Sequence, residues 1–373
     1  MSDWIHLILI LGAAQGFFLT ILIFHKYSGL YANRFLGSIM LMMSMILIHL
    51  VLDELDVYTS IPMLKYSIET LPLLIGPMHY LYARALMRNE KYSLKLLWPH
   101  ALPALLYLFY RISFLLFSSG AYINGEDDPV YIVYNWMINI QAFTYMLVVL
   151  WMINGYTHTL KDMFAALENV RLTWLRNITL LMTFLLLIFL MENVLFLLHV
   201  NFSHFFNLTS TIMAVSVYAL GYMGVSRSEV LLSMEIATPV SQLPRMENIT
   251  KSAAYEKSGL SEEKAKKYKQ QLLSLMENEQ LFRDSDLTLS KVAAKLAVST
   301  HNLSEIINKQ IEMNFFDFVN GYRVEQVKKD LLDKDKENLT LIAIAFDAGF
   351  NSKSSFNAIF KKHTGKTPSE FRK

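Results

Sequence analysis

The chain has 373 residues, of which 53% are hydrophobic and only 18% charged, and its formal net charge is +2. That length exceeds one ordinary domain and points to two or three, and the charge content is lean for a soluble protein. The absence of cysteine excludes a disulfide framework and any thiolate metal site.

The average hides a division. Residues 1–225 hold 11 Lys+Arg and 12 Asp+Glu, whereas residues 226–373 hold 23 and 20. Charge density more than doubles at one point, which marks a boundary between two solvents. The start, Met1-Ser2-Asp3, has no basic region ahead of its apolar stretch. No cleavable signal peptide is expected there, so the first apolar segment should persist as an anchor.

A bilayer core of roughly 30 Å needs about 20 mostly apolar residues as helix. Seven segments fit in chain order: residues 4–24, 35–52, 68–86, 94–117, 130–153, 178–200 and 205–225. The third is the weakest, being interrupted by Pro72, Gly76 and Pro77. These segments are apolar all round, unlike the one-sided helices of a soluble bundle. Loop charge sets the expected orientation. The first loop carries Lys26 and Arg34, the third Arg84, Arg88, Lys91 and Lys95, and the fifth Lys161, Arg171 and Arg176. The second carries Asp53, Glu54 and Asp56 against Lys65, the fourth Glu126, Asp127 and Asp128, and the sixth no acid or base. An inner-membrane protein with its N-terminus outside and its C-terminus in the cytoplasm is therefore expected. Gly12, Ala13 and Ala14 suit close helix packing.

Ionisable groups at membrane depth are costly and so are candidates for function. Glu69, His79, Arg111 and Glu192 are the candidate sensing residues; His49, His100 and His199 also lie in or near spans. Interhelical hydrogen bonding or snorkelling is the plainer role for such groups. The spacing contains no His-Glu-x-x-His, no G-x-S-x-G elbow, no P-loop and no paired carboxylates. No catalytic residue, metal site or cofactor is expected, and the chain does not read as an enzyme.

Residues 227–260 form a polar linker broken by Pro239, Pro244 and Gly259. Residues 261–280 read as an amphipathic connecting helix with Ser261 as N-cap and Glu262 and Glu263 in the first turn. Ala265, Tyr268, Leu272, Leu275 and Met276 make its apolar stripe.

Residues 281–373 contain a diverged internal repeat. Leu287-Thr288-Leu289 returns as Leu339-Thr340-Leu341, and Leu303, Ile306, Ile307 and Lys309 return as Phe356, Ile359, Phe360 and Lys362. Each copy reads as cap, short helix, tight turn, second helix. In the first, Thr288 caps a helix to about Leu296, Ala297-Val298 turns, and Ser299 caps a helix to about Gln310. In the second, Thr340 caps a helix through Ala348, Gly349 turns, and a helix runs from Ser352 to about Lys362. The outward side chains of the second helices are small, polar or basic. Those expected to meet DNA are Ser299, Thr300, His301, Asn302, Ser304, Asn308 and Lys309 in the first unit. In the second they are Asn351, Ser352, Lys353, Ser354, Asn357 and Lys361. Such groups suit base edges and phosphates in a major groove. Between the units, residues 315–332 read as one helix of about 27 Å at 1.5 Å per residue, a spacer comparable with the roughly 34 Å turn of DNA.

On these residues the stretch from about Leu281 to Lys373 resembles the AraC/XylS family of transcription regulators. The resemblance rests on Ile344-Ala345-Phe346-Asp347-Ala348-Gly349-Phe350, then Ser352, Ser355-Phe356, Phe360-Lys361-Lys362, Gly365, Thr367-Pro368 and Phe371-Arg372, with Tyr322-Arg323-Val324-Glu325 between the units. The apolar half, with the run Leu71 to Pro77, is similar to the sensor of a membrane-bound branch of that family. Two positions depart from the family pattern. Ala297 stands where the first turn often has glycine, and Ala358 where the second reading helix often has arginine.

The expected fold is all-α: a seven-helix transmembrane bundle, residues 1–226, followed by two helix-turn-helix units joined by a long helix. The expected activity is that of a membrane-embedded one-component transcription regulator responding to an outer or intramembrane signal. Its expected partners are double-stranded DNA, the lipid bilayer, a small-molecule or envelope signal, RNA polymerase and a second copy of the chain. The alternative is a membrane transporter or enzyme with a regulatory DNA-binding tail.

Overall fold

A computed structural model describes residues 3–26, 31–88, 94–117, 129–167, 172–198, 210–222 and 261–372. The expected linker 227–260 lies outside the described residues, as do the loop charges Lys91, Glu126, Asp127, Asp128 and Arg171, and His199. The described residues are helical throughout apart from turns and one isolated β-bridge. The chain divides into two compact units. One comprises Met1–Ile153 with Thr173–Arg245, the other Asn154–Leu172 with Met246–Lys373.

In the first unit, α1 (Asp3–Lys26) lies along α2 (Tyr31–Glu54), and α2 also packs on α4 (Pro72–Arg88). The α1–α2 approach is close because Gly16 has no side chain: a Cβ there would overlap the Ser44 hydroxyl. Short α3 (Pro62–Glu69) precedes α4, and the expected third span is thus broken at Thr70-Leu71. The cause is Pro72. It fits the first turn of a helix but disfavours helical backbone in the residue before it. The remaining helices are α5 (Leu94–Phe117), α6 (Pro129–Met163), α7 (Thr173–Leu197) and α8 (Ser210–Tyr222). Among the described residues five helices, α1, α2, α5, α6 and α7, are long and apolar enough to cross a membrane. Helix α4 begins four residues after the expected start of the third span, and α8 covers residues 210–222 of the expected seventh. The exteriors are apolar as well as the core: Phe109, Trp151 and Phe117 are 71%, 73% and 87% exposed.

At 35 residues α6 is about 52 Å long at 1.5 Å per residue. That exceeds the roughly 30 Å of a hydrocarbon core. From Asn154 onward its last turns belong to the second unit.

The second unit contains α9 (Glu262–Glu277), α10 (Leu289–Lys295), α11 (Thr300–Ile306), α12 (Phe315–Leu332), α13 (Leu341–Asp347), α14 (Lys353–Thr364) and α15 (Pro368–Arg372). It has two apolar cores. One gathers Leu272, Met276, Leu289, Val292, Leu303 and Ile307 with Phe315, Phe318 and Val319. The other gathers Ile344, Ala345, Phe350, Phe356 and Phe360 with Val324, Val327 and Leu331. Helix α12 is therefore the wall shared by both cores, its first half closing one and its second half the other. Each fully buried Leu, Ile or Phe contributes roughly 1.5–3 kcal/mol. The helix expected to run to Gln310 is α-helical only to Ile306. It continues as a π-turn over Ile307–Ile311 and stops at Glu312 in left-handed backbone, φ 60°. The Gln310 carbonyl at this end accepts from Lys269 Nζ of α9 at 2.8 Å.

Candidate nucleic-acid interface

Helix starts are set by side-chain caps at the expected residues. Thr288, Ser299, Thr340 and Ser352 each accept a hydrogen bond from the backbone N–H three residues on, at 3.1–3.2 Å. These fill donors that a helix start otherwise leaves open. Ser299 and Ser352 therefore spend a side-chain acceptor on their own helices, and the Ser352 hydroxyl also lies 3.0 Å from that of Ser354.

Both tight turns need left-handed backbone. Gly349 has φ 98°, and a Cβ there would stand 2.5 Å from the Phe282 carbonyl oxygen. Ala297 has φ 52°, so the first turn holds an L-residue where glycine is at ease.

The two second helices bury the expected residues. Leu303, Ile306 and Ile307 are at most 1% exposed, and Phe356, Ile359 and Phe360 at most 7%. The opposite faces stay open: Thr300, His301 and Lys309 on α11 and its continuation, and Lys353, Ser354, Asn357 and Lys361 on α14 are exposed. Asn351, in the turn before α14, is exposed as well. Asn302, Ser304 and Asn308 are half-buried, with Asn308 Nδ2 donating to Ser304 Oγ at 3.3 Å. Lys309 pairs with the nearly buried Glu305 at 2.8 Å.

Several bonds hold the two helix-turn-helix units in one arrangement. Arg283 donates to the Asp347 carboxylate at 2.8 Å and to its backbone carbonyl at 3.0 Å. Lys362 at the end of α14 donates to Asp317 at the start of α12, 2.7 Å away. Arg372 donates to the Leu339 carbonyl at 2.7 Å. Burial disfavours the charge on Asp317, but hydrogen bonds from Lys362 and Asn314 and the nearby Lys161 outweigh it, so the carboxyl titrates below its ordinary value. The Glu370 carboxyl is likewise held low, first by the Thr367 backbone N–H, in a reciprocal cap at the start of α15.

Arg323 and Asn320 were not among the sequence candidates for a site, although Arg323 stands in the run that carries the family resemblance. Arg323 is 1% exposed, and its guanidinium donates to the carbonyls of Phe282 and Asp284 at 2.8 Å and to Asn320 Oδ1 at 3.3 Å. It also lies 5.8 Å from the Phe350 ring centroid. Both residues sit mid-helix in polar-looking positions, and periodicity carries no sign that they point inward.

In the first unit, two of the four candidate sensing residues come together. Arg111 lies 3.6 Å from the Glu69 carboxylate and 4.2 Å from the Tyr66 ring centroid, and both charges are nearly buried. Tyr134 donates to the Glu69 carbonyl and stacks on Tyr107, with centroids 4.1 Å apart. His79 is instead joined to Thr179 at 2.9 Å, and Glu192 is buried on α7. An apolar cavity of about 200 Å³ is lined among others by Pro72, Gly76, Ile138 and Met182.

Residues 292–373 match the family model described as "Helix-turn-helix domain". An uncharacterized HTH-type transcriptional regulator of Staphylococcus aureus (strain COL) is 34% identical over 87 residues, 23% of this chain and 11% of that protein. The melibiose operon regulatory protein of Escherichia coli (strain K12) is 29% identical over 90 residues, 24% of this chain and 29% of that protein. Among solved structures, the C-terminal domain of AraT, a response regulator from Geobacillus stearothermophilus, is 30% identical, covering 31% of this chain and 87% of that one, with a TM-score of 0.25. The chain thus spans only a small part of the curated relatives' length. Its C-terminal residues carry a helix-turn-helix domain akin to those of transcriptional regulators.

Proposed function

We propose that this chain is a membrane-embedded transcription regulator of the AraC/XylS type, whose two helix-turn-helix units read successive major grooves of one DNA site. The observation that carries this is the pairing of two capped reading helices on one rigid spacer. Helices α11 and α14 each keep a polar and basic face open, while α12 and the Arg283–Asp347 bond fix their relation. Bases would be met by Thr300, His301, Asn302 and Ser304 of the first unit and by Asn351, Lys353, Ser354 and Asn357 of the second. Lys309, Lys361 and the N-terminal ends at Ser299 and Ser352 would hold phosphates.

Membrane embedding is supported by the five span-length helices and their apolar exteriors. A soluble protein rarely exposes so much contiguous apolar surface. In the proposed arrangement α4 and α8 complete seven spans, the N-terminus faces outward, and the reading domain lies in the cytoplasm with access to DNA and RNA polymerase. Glu69, Arg111, His79 and Glu192 form the sensing layer, and two copies of the chain pair on the DNA.

The test is retention of genomic DNA fragments by the full chain in lipid nanodiscs across a salt series. Binding confined to a defined sequence, with affinity falling by about 10³–10⁵ between 50 and 200 mM salt for 6–10 phosphate contacts, is the expected result. Retention without sequence preference at every salt concentration refutes the reading.

A further inference from the structure

We propose that residues 154–167 act as a strap that docks on the first helix-turn-helix unit and couples the helix α6 to DNA reading, the docked strap holding that unit in its DNA-reading form. The coupling rests on the function proposed above; the docking does not.

The strap is the end of α6 and the residues after it, and it belongs to the same compact unit as the C-terminal domain. Its centre is Ala165, 1% exposed, which lies in one core with Leu272, Met276, Leu287 and Phe315. The Ala165 N–H donates to the Leu287 carbonyl at 3.1 Å, and Phe164 stands opposite Thr288 in an antiparallel bridge. Thr288 is the residue that caps the first helix of the unit. The Ala165 carbonyl accepts from Asn320 Nδ2 at 2.9 Å and from an Arg323 terminal nitrogen at 3.3 Å. Both donors belong to side chains that are fully buried.

This is a built site and not a chance contact of surfaces. Buried amide and guanidinium donors are costly when an acceptor is withdrawn. Here an acceptor for each comes from a segment more than 150 residues away in sequence. Loss of the strap would uncover part of the first core and remove one partner from each of two groups on α12, the helix that both reading units share. The strap also bears on the second unit. Lys161 adds positive charge near Asp317, the carboxylate that holds Lys362 of α14. Upstream the strap has no hinge of its own. It continues the helix whose residues 130–153 are of spanning length and apolar, and an unbroken helix carries a shift or rotation along its axis to its end. A coupling that changes affinity 5–150-fold needs only a modest difference in docking between two states.

The chain contains no cysteine, so a single engineered pair can report docking. Residues opposite each other in an antiparallel bridge hold Cα atoms about 4.5–5.5 Å apart, within disulfide range. The experiment uses the full chain in nanodiscs, carrying Phe164→Cys with Thr288→Cys and a protease site inserted between residues 231 and 250. After mild oxidation and cleavage, the two fragments should stay joined until reductant is added. Adding Ala165→Arg, which cannot fit the buried site, should abolish the joining. Ala165→Arg alone should weaken binding to a genomic fragment selected by the wild-type chain by about 5–150-fold. Two thiols that both alkylate yet never pair would overturn the docking, as would joining that survives Ala165→Arg. Joining with unchanged DNA affinity in Ala165→Arg would overturn the coupling. Joining without sequence-specific DNA binding by the wild-type chain would sink the proposed function and the coupling with it, while the docking stands.

Discussion

Replacing Arg323 by Ala should be the most damaging single change to the C-terminal unit. The guanidinium is 1% exposed and donates to Phe282, Asp284, Asn320 and Ala165. Hydrogen bonds from a charged group are worth about 1.5–3 kcal/mol each, but carbonyls keep a second lone pair and water enters part of the space. Truncating one partner of such a buried charged network costs about 3–5 kcal/mol, a large share of a typical total stability of about 5–15 kcal/mol. With a urea slope of roughly 1.5–2 kcal/mol per M, the unfolding midpoint should fall by about 2 M. All five tryptophans lie between residues 4 and 174, so their fluorescence reads mostly the other unit. Pulse proteolysis of the full chain in urea, followed by a C-terminal epitope, reads the right one. Arg323→Lys should recover little, because one ammonium cannot reproduce the planar fork. A midpoint for Arg323→Ala within about 0.3 M of wild type, equivalent to under about 0.6 kcal/mol, would refute the hub role.

Three further outcomes follow from the same geometry. Gly349→Ala should destabilise the second unit by at least about 1–2 kcal/mol, since the site combines φ 98° with a clash at the Phe282 carbonyl; Ala297→Gly at φ 52° should be neutral or stabilising by up to about 1 kcal/mol, and the opposite order of the two urea midpoints would refute the turn assignment. Lys361→Ala, on an exposed face of α14, should reduce the slope of log affinity against log salt by about 1 where the ammonium meets phosphate, whereas Lys353→Ala, placed against bases, should relax sequence preference and cost about 1–3 kcal/mol on the selected site alone; a wild-type slope for the first and unchanged preference for the second would remove both from the interface. Asp317→Asn should lower stability at neutral pH by less than about 1 kcal/mol, because Lys362 is mostly solvated. The Asp317 carboxyl titrates below its ordinary 3.8 in the folded state, so its contribution is present above that value and lost as pH falls through the lower, folded one. The wild-type and Asn midpoints should therefore converge under strong acid, and a gap that persists there would show that charge is not the cause.

Much of the reading domain was legible because its signals are local. Thr288, Ser299, Thr340 and Ser352 cap helices through their own neighbours, Gly349 turns because its backbone must, and the inward residues of α11 and α14 follow helical spacing. The spacer 315–332 came out at the expected bounds for the same reason. Apolar runs likewise announced helices of membrane length by composition alone. Where one residue's effect acts against the run it stands in, as at Pro72, the boundary moved: a segment apolar enough to be one span became two helices.

What periodicity could not carry is any contact between residues far apart in sequence. Glu69 and Arg111 are 42 positions apart, and nothing in either neighbourhood says that they meet. Asn320 and Arg323 look like solvated positions on a helix of weak amphipathicity, yet both are buried because that helix is walled by two cores and not one. Residues 154–167 look like the start of a loop between two spans, with Lys161 beside Asp162. In the folded chain they group with the C-terminal domain, and Ala165, a residue with no chemistry of its own, offers its backbone to the two buried donors. Composition and local spacing determined which segments are helical, which are apolar throughout, and where the reading helices begin. Tertiary packing alone decided which polar groups lie inside and what satisfies them, because a buried donor is satisfied by whatever acceptor the fold brings within about 3 Å, regardless of where that acceptor stands in the chain.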